Sequence, residues 1–317
     1  MSLQGSMVER TVQESNRTTA QRSGVFARHE TFHPRFGWLK KGFDRASADP
    51  DVFLREDAPV RLGVGKNMVR SIRYWCQAFK LLENDRPTEF GTQLLGEGGW
   101  DPYLEDPASL WLLHWKLLES PCYATTWNFV FNQFNSVEFS TEELLKQLSE
   151  YCDRIAPRMA TSSLEKDVHC LLRMYTQQVS RKNSVSEDSL DCPFAELGLI
   201  YMAGNSRTYR FRVGQKPTLP AAIVIYTCLH YAAHVMTGQQ RLPIGKLLYD
   251  VGSPGQAFRL TESALDAAIN TWAEVESLGI SDAAGKREFF FQGEPLQTAT
   301  DILNTYYNVK LRDEVRQ

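Results

Sequence analysis

The chain has no uninterrupted apolar run of about 18 residues, so it is not expected to cross a membrane as a helix. It has no C-x-x-C pair: Cys76, Cys122, Cys152, Cys170, Cys192 and Cys228 are scattered, several within apolar patterns. That spacing argues against a zinc ribbon, a redox motif or a disulfide framework, and it fits small buried hydrophobes in a cytoplasmic protein. A basic-then-apolar leader is also missing, as is a G-x-S-x-G elbow. The net charge is only −3, too small for a chain that coats nucleic acid along its whole length. Any DNA contact must therefore rest on local charge.

What is present is ordinary globular material, 43% hydrophobic and 23% charged over 317 residues. Met1–Ser6 reads as a tag remnant, and the polar residues 7–24 read as a disordered arm. The rest divides into an N-terminal module (26–100), a helical middle (101–192) and a C-terminal module (193–317), with the polar stretch Ser180–Pro193 at the second boundary. The expected fold is mainly α with small β-hairpins, two winged-helix-like modules being joined by the helical middle.

The most informative stretch is a helix predicted from Lys66 to Leu82. Met68, Ile72, Trp75, Phe79 and Leu82 recur in steps of four and three and form one apolar stripe. Lys66, Arg70, Arg73 and Gln77 recur at the same steps on another face, with Asn67 beside them. Short helices lead into this long one, and Glu83–Pro87 supplies a turn for a hairpin, which is winged-helix order. In such folds the long helix enters the major groove, where Arg and Lys pair with guanine and Asn and Gln with adenine. Residues 28–80 carry eleven Lys or Arg against six Asp or Glu, a local excess of five positive charges, leaving −8 for the remainder. Lys66, Asn67, Arg70, Arg73 and Gln77, with Arg35, Lys40 and Lys41 nearby, are therefore the candidate duplex-DNA contacts. The bland alternative is a solvated helix face.

Further along, Asp106-Pro107 opens an amphipathic helix to Leu118 with Trp111 and Trp115 as core anchors. Ser140–Glu143 and Ser162–Glu165 fit capping boxes. Tyr209, Phe211 and Val213 alternate with Arg210 and Arg212, so residues 198–213 read as a hairpin. A second module follows: helices at Ala221–Val235 and Ile244–Tyr249, a break at Gly252–Gly255, a helix capped by Thr261, and a hairpin in Gly279–Phe291. The outer face of that last helix carries Glu262, Asp266, Asn270 and Glu274, which phosphates would repel, so this module is expected to bind a protein partner or a second copy.

Two segments carry catalytic-looking patterns. His29-Glu30-Thr31-Phe32-His33 matches H-E-x-x-H, which binds zinc when it lies on a helix. Here Pro34 follows the second histidine and biases it away from helix, so hydrogen bonding that ties down the N-terminal segment is the better reading. Gly63-Val64-Gly65-Lys66-Asn67 resembles part of a phosphate loop, but it lacks the first glycine, and Asn67 stands where the magnesium-binding hydroxyl belongs. Neither a metal, a cofactor nor a catalytic residue is expected.

The run His29–Lys41 followed by Leu62–Arg70, with Trp100-Asp101-Pro102-Tyr103-Leu104 and the Trp111–Trp115 helix, resembles the family known as domain of unknown function 4007. The resemblance implies a prokaryotic protein encoded beside genes for DNA phosphorothioation and related defence systems. It implies a DNA-linked accessory role and carries over no catalytic residue. The leading expectation is a non-enzymatic DNA-binding accessory or regulatory protein. The alternatives are a protein–protein adaptor without DNA contact and a metal-dependent hydrolase built on His29, Glu30 and His33.

Overall fold

A computed structural model describes residues 24–177, 192–204, 207–235, 238–272, 277–283 and 285–314. The residues read as a tag remnant and nearly all of the arm lie outside these, as do Glu274 and most of the polar stretch after Ser180. The protein is mainly helical, with three small antiparallel sheets.

The first block runs α1 (Trp38–Ala48), a 3-10 turn at Val52–Leu54, α2 (Ala58–Leu62), α3 (Lys66–Ala78), a hairpin of β1 (Leu82–Glu83) and β2 (Arg86–Pro87), then α4 (Glu89–Leu95). The apolar stripe of α3 behaves as its spacing requires. Ile72, Trp75 and Phe79 are fully buried, and Met68 packs at the margin of the core. The helix crosses α1 at Gly42, where an added Cβ would meet Cys76 Sγ at 2.6 Å and Ile72 Cγ2 at 2.7 Å. It ends at Ala78, four residues short of the expected Leu82, because Lys80 takes a left-handed φ of 61° and turns the chain into β1. Asn84 and Asp85 then adopt φ of 51° and 61°, the two-residue geometry whose twist matches antiparallel strands.

In the middle block α5 (Pro107–Leu118) is capped by Asp106, whose side chain accepts the Ala108 N–H at 2.9 Å. It is not amphipathic: every residue from Ala108 to Leu118 is buried, because neighbours cover it on all sides. His114 at its centre bonds through Nδ1 to the Tyr175 hydroxyl at 2.6 Å and through Nε2 to the Ala257 carbonyl at 2.9 Å. Then follow α6 (Thr125–Asn132), β3 (Glu138–Ser140), α7 (Thr141–Ile155), α8 (Thr161–Tyr175) and the strands β4 (Ile200–Met202) and β5 (Thr208–Phe211). Ser140 caps α7 as its pattern requires, whereas α8 starts one residue before the expected Ser162 cap and has no side-chain cap.

The strand order of this sheet is β3-β5-β4. Arg210 on β5 faces Glu138 on β3, so strands on either side of residues 192–193 pair with one another. The hairpin expected at the start of the C-terminal module thus completes the sheet of the middle block. A ladder linking residues 72 apart leaves no trace in local periodicity.

The third block contains α9 (Ala221–Val235), β6 (Arg241–Pro243), α10 (Ile244–Tyr249), α11 (Pro254–Phe258), α12 (Glu262–Asn270), the hairpin β7 (Leu278–Ala283) and β8 (Lys286–Phe291), and α13 (Pro295–Glu314), which packs along α9. The break expected at Gly252–Gly255 starts a short helix instead, with Ser253 accepting the Gln256 N–H at 3.3 Å. Strand order is β6-β8-β7. The second and third blocks therefore repeat one plan: helix, strand, helices, hairpin, with the first strand pairing to the last. One continuous core runs from Phe26 to Tyr307 through all three blocks. No helix among the described residues is long and apolar enough to cross a membrane.

Candidate nucleic-acid interface

The polar face of α3 forms one wall of a cleft of about 470 Å³ lined by Val25, Arg28, Glu30, Arg70, Arg73, Tyr74, Gln77 and Tyr123. The opposite wall is the segment Val25–Glu30, which is held against the middle block by a buried carboxylate. Asp167 on α8 accepts the Ala27 N–H at 2.8 Å and the Thr126 hydroxyl at 2.7 Å, and its Oδ1 lies 2.8 Å from His29 Nε2. Val25 adds a pair of bonds to Thr125, through its N–H to the side chain and its carbonyl to the main chain. His29 is fully buried, stacked on Trp75 at 6.1 Å and edge-on to Trp127 at 5.8 Å.

The H-E-x-x-H segment is therefore a tether and not a helical metal motif. Glu30 and Thr31 take φ of 51° and 67°, incompatible with a right-handed helix, and His29 spends Nε2 on Asp167. The tether reaches farther than expected, joining the first block to α6 and α8. Its turn aims Glu30 into the cleft, where its carboxylate lies 3.6 Å from Arg70.

Arg73 is fixed from behind. Its Nε and Nη2 donate to the two oxygens of Asp85 at 2.8 and 2.5 Å, and Gln77 Nε2 donates to Asp85 Oδ1 at 3.1 Å. A guanidinium carries five donors, so Arg73 keeps three for a ligand while its plane is held still. Tyr74, on the same helix, donates its hydroxyl to the Tyr123 carbonyl at 3.1 Å and closes the inner end. The ring of Tyr123 lies beneath Lys80 Nζ, 4.5 Å from its centroid. Three arginines thus face Glu30 on the wall and Asp85 beneath. The arrangement can hold an anionic oxygen group, with Tyr74 and Tyr123 offering flat surface beside it.

The expected contact set is only partly gathered here. Arg70, Arg73 and Gln77 line the cleft. Lys66 and Asn67 are exposed one turn earlier at the N-terminus of α3, where Gly65 caps without a side-chain bond and Gly63, at φ 65°, ends α2. Lys40 lies elsewhere, bound to Asp44 at 2.7 Å and to the Leu95 carbonyl at 3.2 Å beside Tyr103. Arg35 packs over Phe32 and Trp38, with its guanidinium 5.8 and 5.3 Å from their rings, and Lys41 is half-buried on α1; neither lines the cleft. Arg28, Tyr123, Asp85 and Asp167 were not anticipated. The partners of Tyr123, Asp85 and Asp167 lie 8 to 140 residues away, and only the basic character of Arg28 hinted at a role.

The acidic face of the third block also has a structural partner. Arg287 on β8 reaches across to Glu262 and to Asp266, the latter at 2.8 Å. The helix acids are thus bound to the block's own hairpin.

Two solved structures are closely similar to this chain: a crystal structure of magnesium ion-bound SspB and a crystal structure of SspB. Each is 38% identical with a TM-score of 0.83. The first match covers 90% of this chain and 88% of that one, the second 91% and 90%. No curated protein matches it. The model of the family described as protein of unknown function DUF4007 matches residues 26–307, and the chain belongs to that family.

Proposed function

We propose that this protein is a DNA-binding accessory or regulatory component of a prokaryotic DNA phosphorothioation system, and that α3 and the Val25–Glu30 tether hold the phosphate backbone between them. The carrying observation is the cleft in which Arg28, Arg70 and Arg73 converge, one of them locked in plane by a buried carboxylate. Phosphate recognition favours fixed guanidinium forks of this kind. The likeness to SspB and the DUF4007 membership supply the system. The first and third blocks serve as winged-helix-type modules in this reading, α3 being the helix that meets DNA. The third block, whose acids face α12's outer side, binds a protein partner or a second copy. The role is binding: each carboxylate at the cleft is neutralised by an arginine, which suits holding a phosphate better than moving a proton.

The test is an anisotropy titration of duplex DNA at two salt concentrations, with and without magnesium. The wild type should bind with a steep salt dependence. Arg28→Ala/Arg70→Ala, both exposed positions, should flatten the log–log slope by about 2. Supercoiled plasmid incubated with protein and magnesium should stay supercoiled. Open circles would replace the accessory role with an enzymatic one.

A second reading has its own observation. Asp85 and Glu30 already offset two of the three cleft arginines, and a neutralised face suits a protein–protein adaptor without DNA contact. Absence of salt-dependent DNA binding, or an unaltered double variant, would favour it.

A further inference from the structure

On the side of the molecule formed by α5 and α9, away from the cleft, three side chains of ligand chemistry meet. Glu119 follows the last turn of α5, and His230 and His234 lie one turn apart on α9. One ligand atom from each lies within 4.8 Å of the others. Two histidines at i and i+4 on a helix with a carboxylate from a second element is a common way of presenting three ligands to one face of a metal ion.

Three details separate this group from a chance cluster. His230 Nδ1 and Glu119 Oε1 are 3.0 Å apart and attract one another as an ion pair, but the buried ring nitrogen is poorly aligned for a hydrogen bond to the carboxylate. Two atoms this close that do not point at each other are placed as ligands of a common ion are: ligands about 2 Å from a tetrahedral zinc stand roughly 3.3 Å from one another. His234 Nδ1 bonds to its own helix at the His230 carbonyl, 2.7 Å away, and a donor there leaves the lone pair on Nε2. Glu119 is oriented from outside, its Oε2 accepting from Lys116 Nζ at 2.9 Å, which leaves Oε1 facing the histidines. Lys116 is in turn packed against the rings of Phe90 and Tyr226.

We propose that Glu119, His230 and His234 bind a first-row transition-metal dication, zinc by preference, through Oε1 and one ring nitrogen of each histidine. The donor set has two imidazoles and a single carboxylate, so it suits zinc and disfavours magnesium, which requires oxygen ligands in octahedral array. His234 is exposed, so an ion can enter from solvent and at least one coordination position stays open to water. The bound ion clamps the end of α5 to α9. This site is independent of the DNA reading, since none of its residues lines the cleft.

The experiment uses the full chain, stripped with a chelator and then titrated with zinc against a chromophoric competitor. One equivalent should bind and should raise the thermal midpoint. His234→Ala, at an exposed position that leaves the fold intact by circular dichroism, should weaken zinc binding by more than the roughly 10- to 100-fold typical of outer-shell changes. His230→Ala should do the same, and His169→Ala, an exposed histidine outside the group, should change nothing. Cobalt(II) in place of zinc should give visible bands that His234→Ala removes. The proposal is overturned if the stripped wild type takes up no zinc at micromolar concentration. It is equally overturned if His234→Ala binds with unchanged stoichiometry and affinity, since the ion would then sit elsewhere.

Discussion

Arg73 and Asp85 form a two-pronged ion pair between α3 and the turn of the hairpin that follows it, with Nε–Oδ1 at 2.8 Å and Nη2–Oδ2 at 2.5 Å. Asp85 is nearly inaccessible, while a third of Arg73 remains open to solvent. The pair therefore faces both ways, fixing the hairpin and holding a guanidinium at the mouth of the cleft. It also means that Arg73→Ala cannot be a purely functional change, because it leaves a buried carboxylate with Gln77 alone.

Asp85→Asn separates those two roles. Asn tolerates the left-handed φ of 61° as Asp does, so the turn survives. Stability should fall by roughly 1–2 kcal/mol as the charge-assisted bonds to Arg73 are lost, checked by urea denaturation. If the cleft holds DNA, removing the negative charge beneath it should tighten non-specific binding and steepen the salt slope. An unchanged slope would support the adaptor.

Asp167 should prove far more costly to change. Its buried carboxylate serves the Ala27 amide, the His29 ring and the Thr126 hydroxyl together. Asp167→Ala leaves all of them unsatisfied in the core, a loss of roughly 3 kcal/mol or more. Amide exchange should accelerate at residues 25–33 ahead of the remainder, because the segment loses its anchor. Uniform exchange across the chain would mean that the tether has no separate stability.

These two acids mark the limit of what the sequence discloses. The apolar stripe of α3, the Asp106, Ser140 and Thr261 caps and the α9 and α10 helices follow from spacing and cap chemistry, which act within a turn or two of chain. Arg70, Arg73 and Gln77 were visible for the same reason, whereas Tyr74, which lines the cleft beside them, was not. Asp85 in a turn and Asp167 on a helix look like ordinary surface acids, and only the tertiary fold makes them partners of Arg73 and His29. The β3–β5 ladder is equally hidden, as is the burial of α5: its hydrophobic content suggested one covered face, and neighbours from every side supplied the others.

The third block gives a prediction about selectivity of surfaces. Arg287 bridges Glu262 and Asp266, so those acids are tied to the block's own hairpin, and Glu262 and Arg287 remain partly exposed. Glu262→Lys/Asp266→Lys should therefore disturb the β7–β8 hairpin and change partner binding or self-association, measured by sedimentation velocity. DNA affinity should stay within about twofold of wild type if DNA is held at the Arg28–Arg70–Arg73 cleft. A large loss of DNA affinity would move the interface to the third block.

His114 makes the fold sensitive to acid. The imidazole is fully buried on α5, and that burial holds its pKa down at about 4 from an ordinary 6.5, with Arg259 and Lys216 adding repulsion. A group with a depressed folded pKa that is cationic when protonated favours folding only while neutral. Between pH 6.5 and 4 the unfolded chain binds more protons than the folded one, so stability must rise with pH across that window and fall as pH drops through it. The contribution is about 3 kcal/mol from pH 7 to below pH 4, on the scale of 1.36 kcal/mol per unit. His114→Gln offers a donor and an acceptor to Tyr175 and Ala257 without titrating. It should be less stable than wild type at pH 7, and the gap should narrow as pH falls toward 4.5. Urea unfolding of both proteins at pH 7, 6, 5 and 4.5 measures the gap directly; a gap that stays constant would show that His114 does not titrate on unfolding in this range.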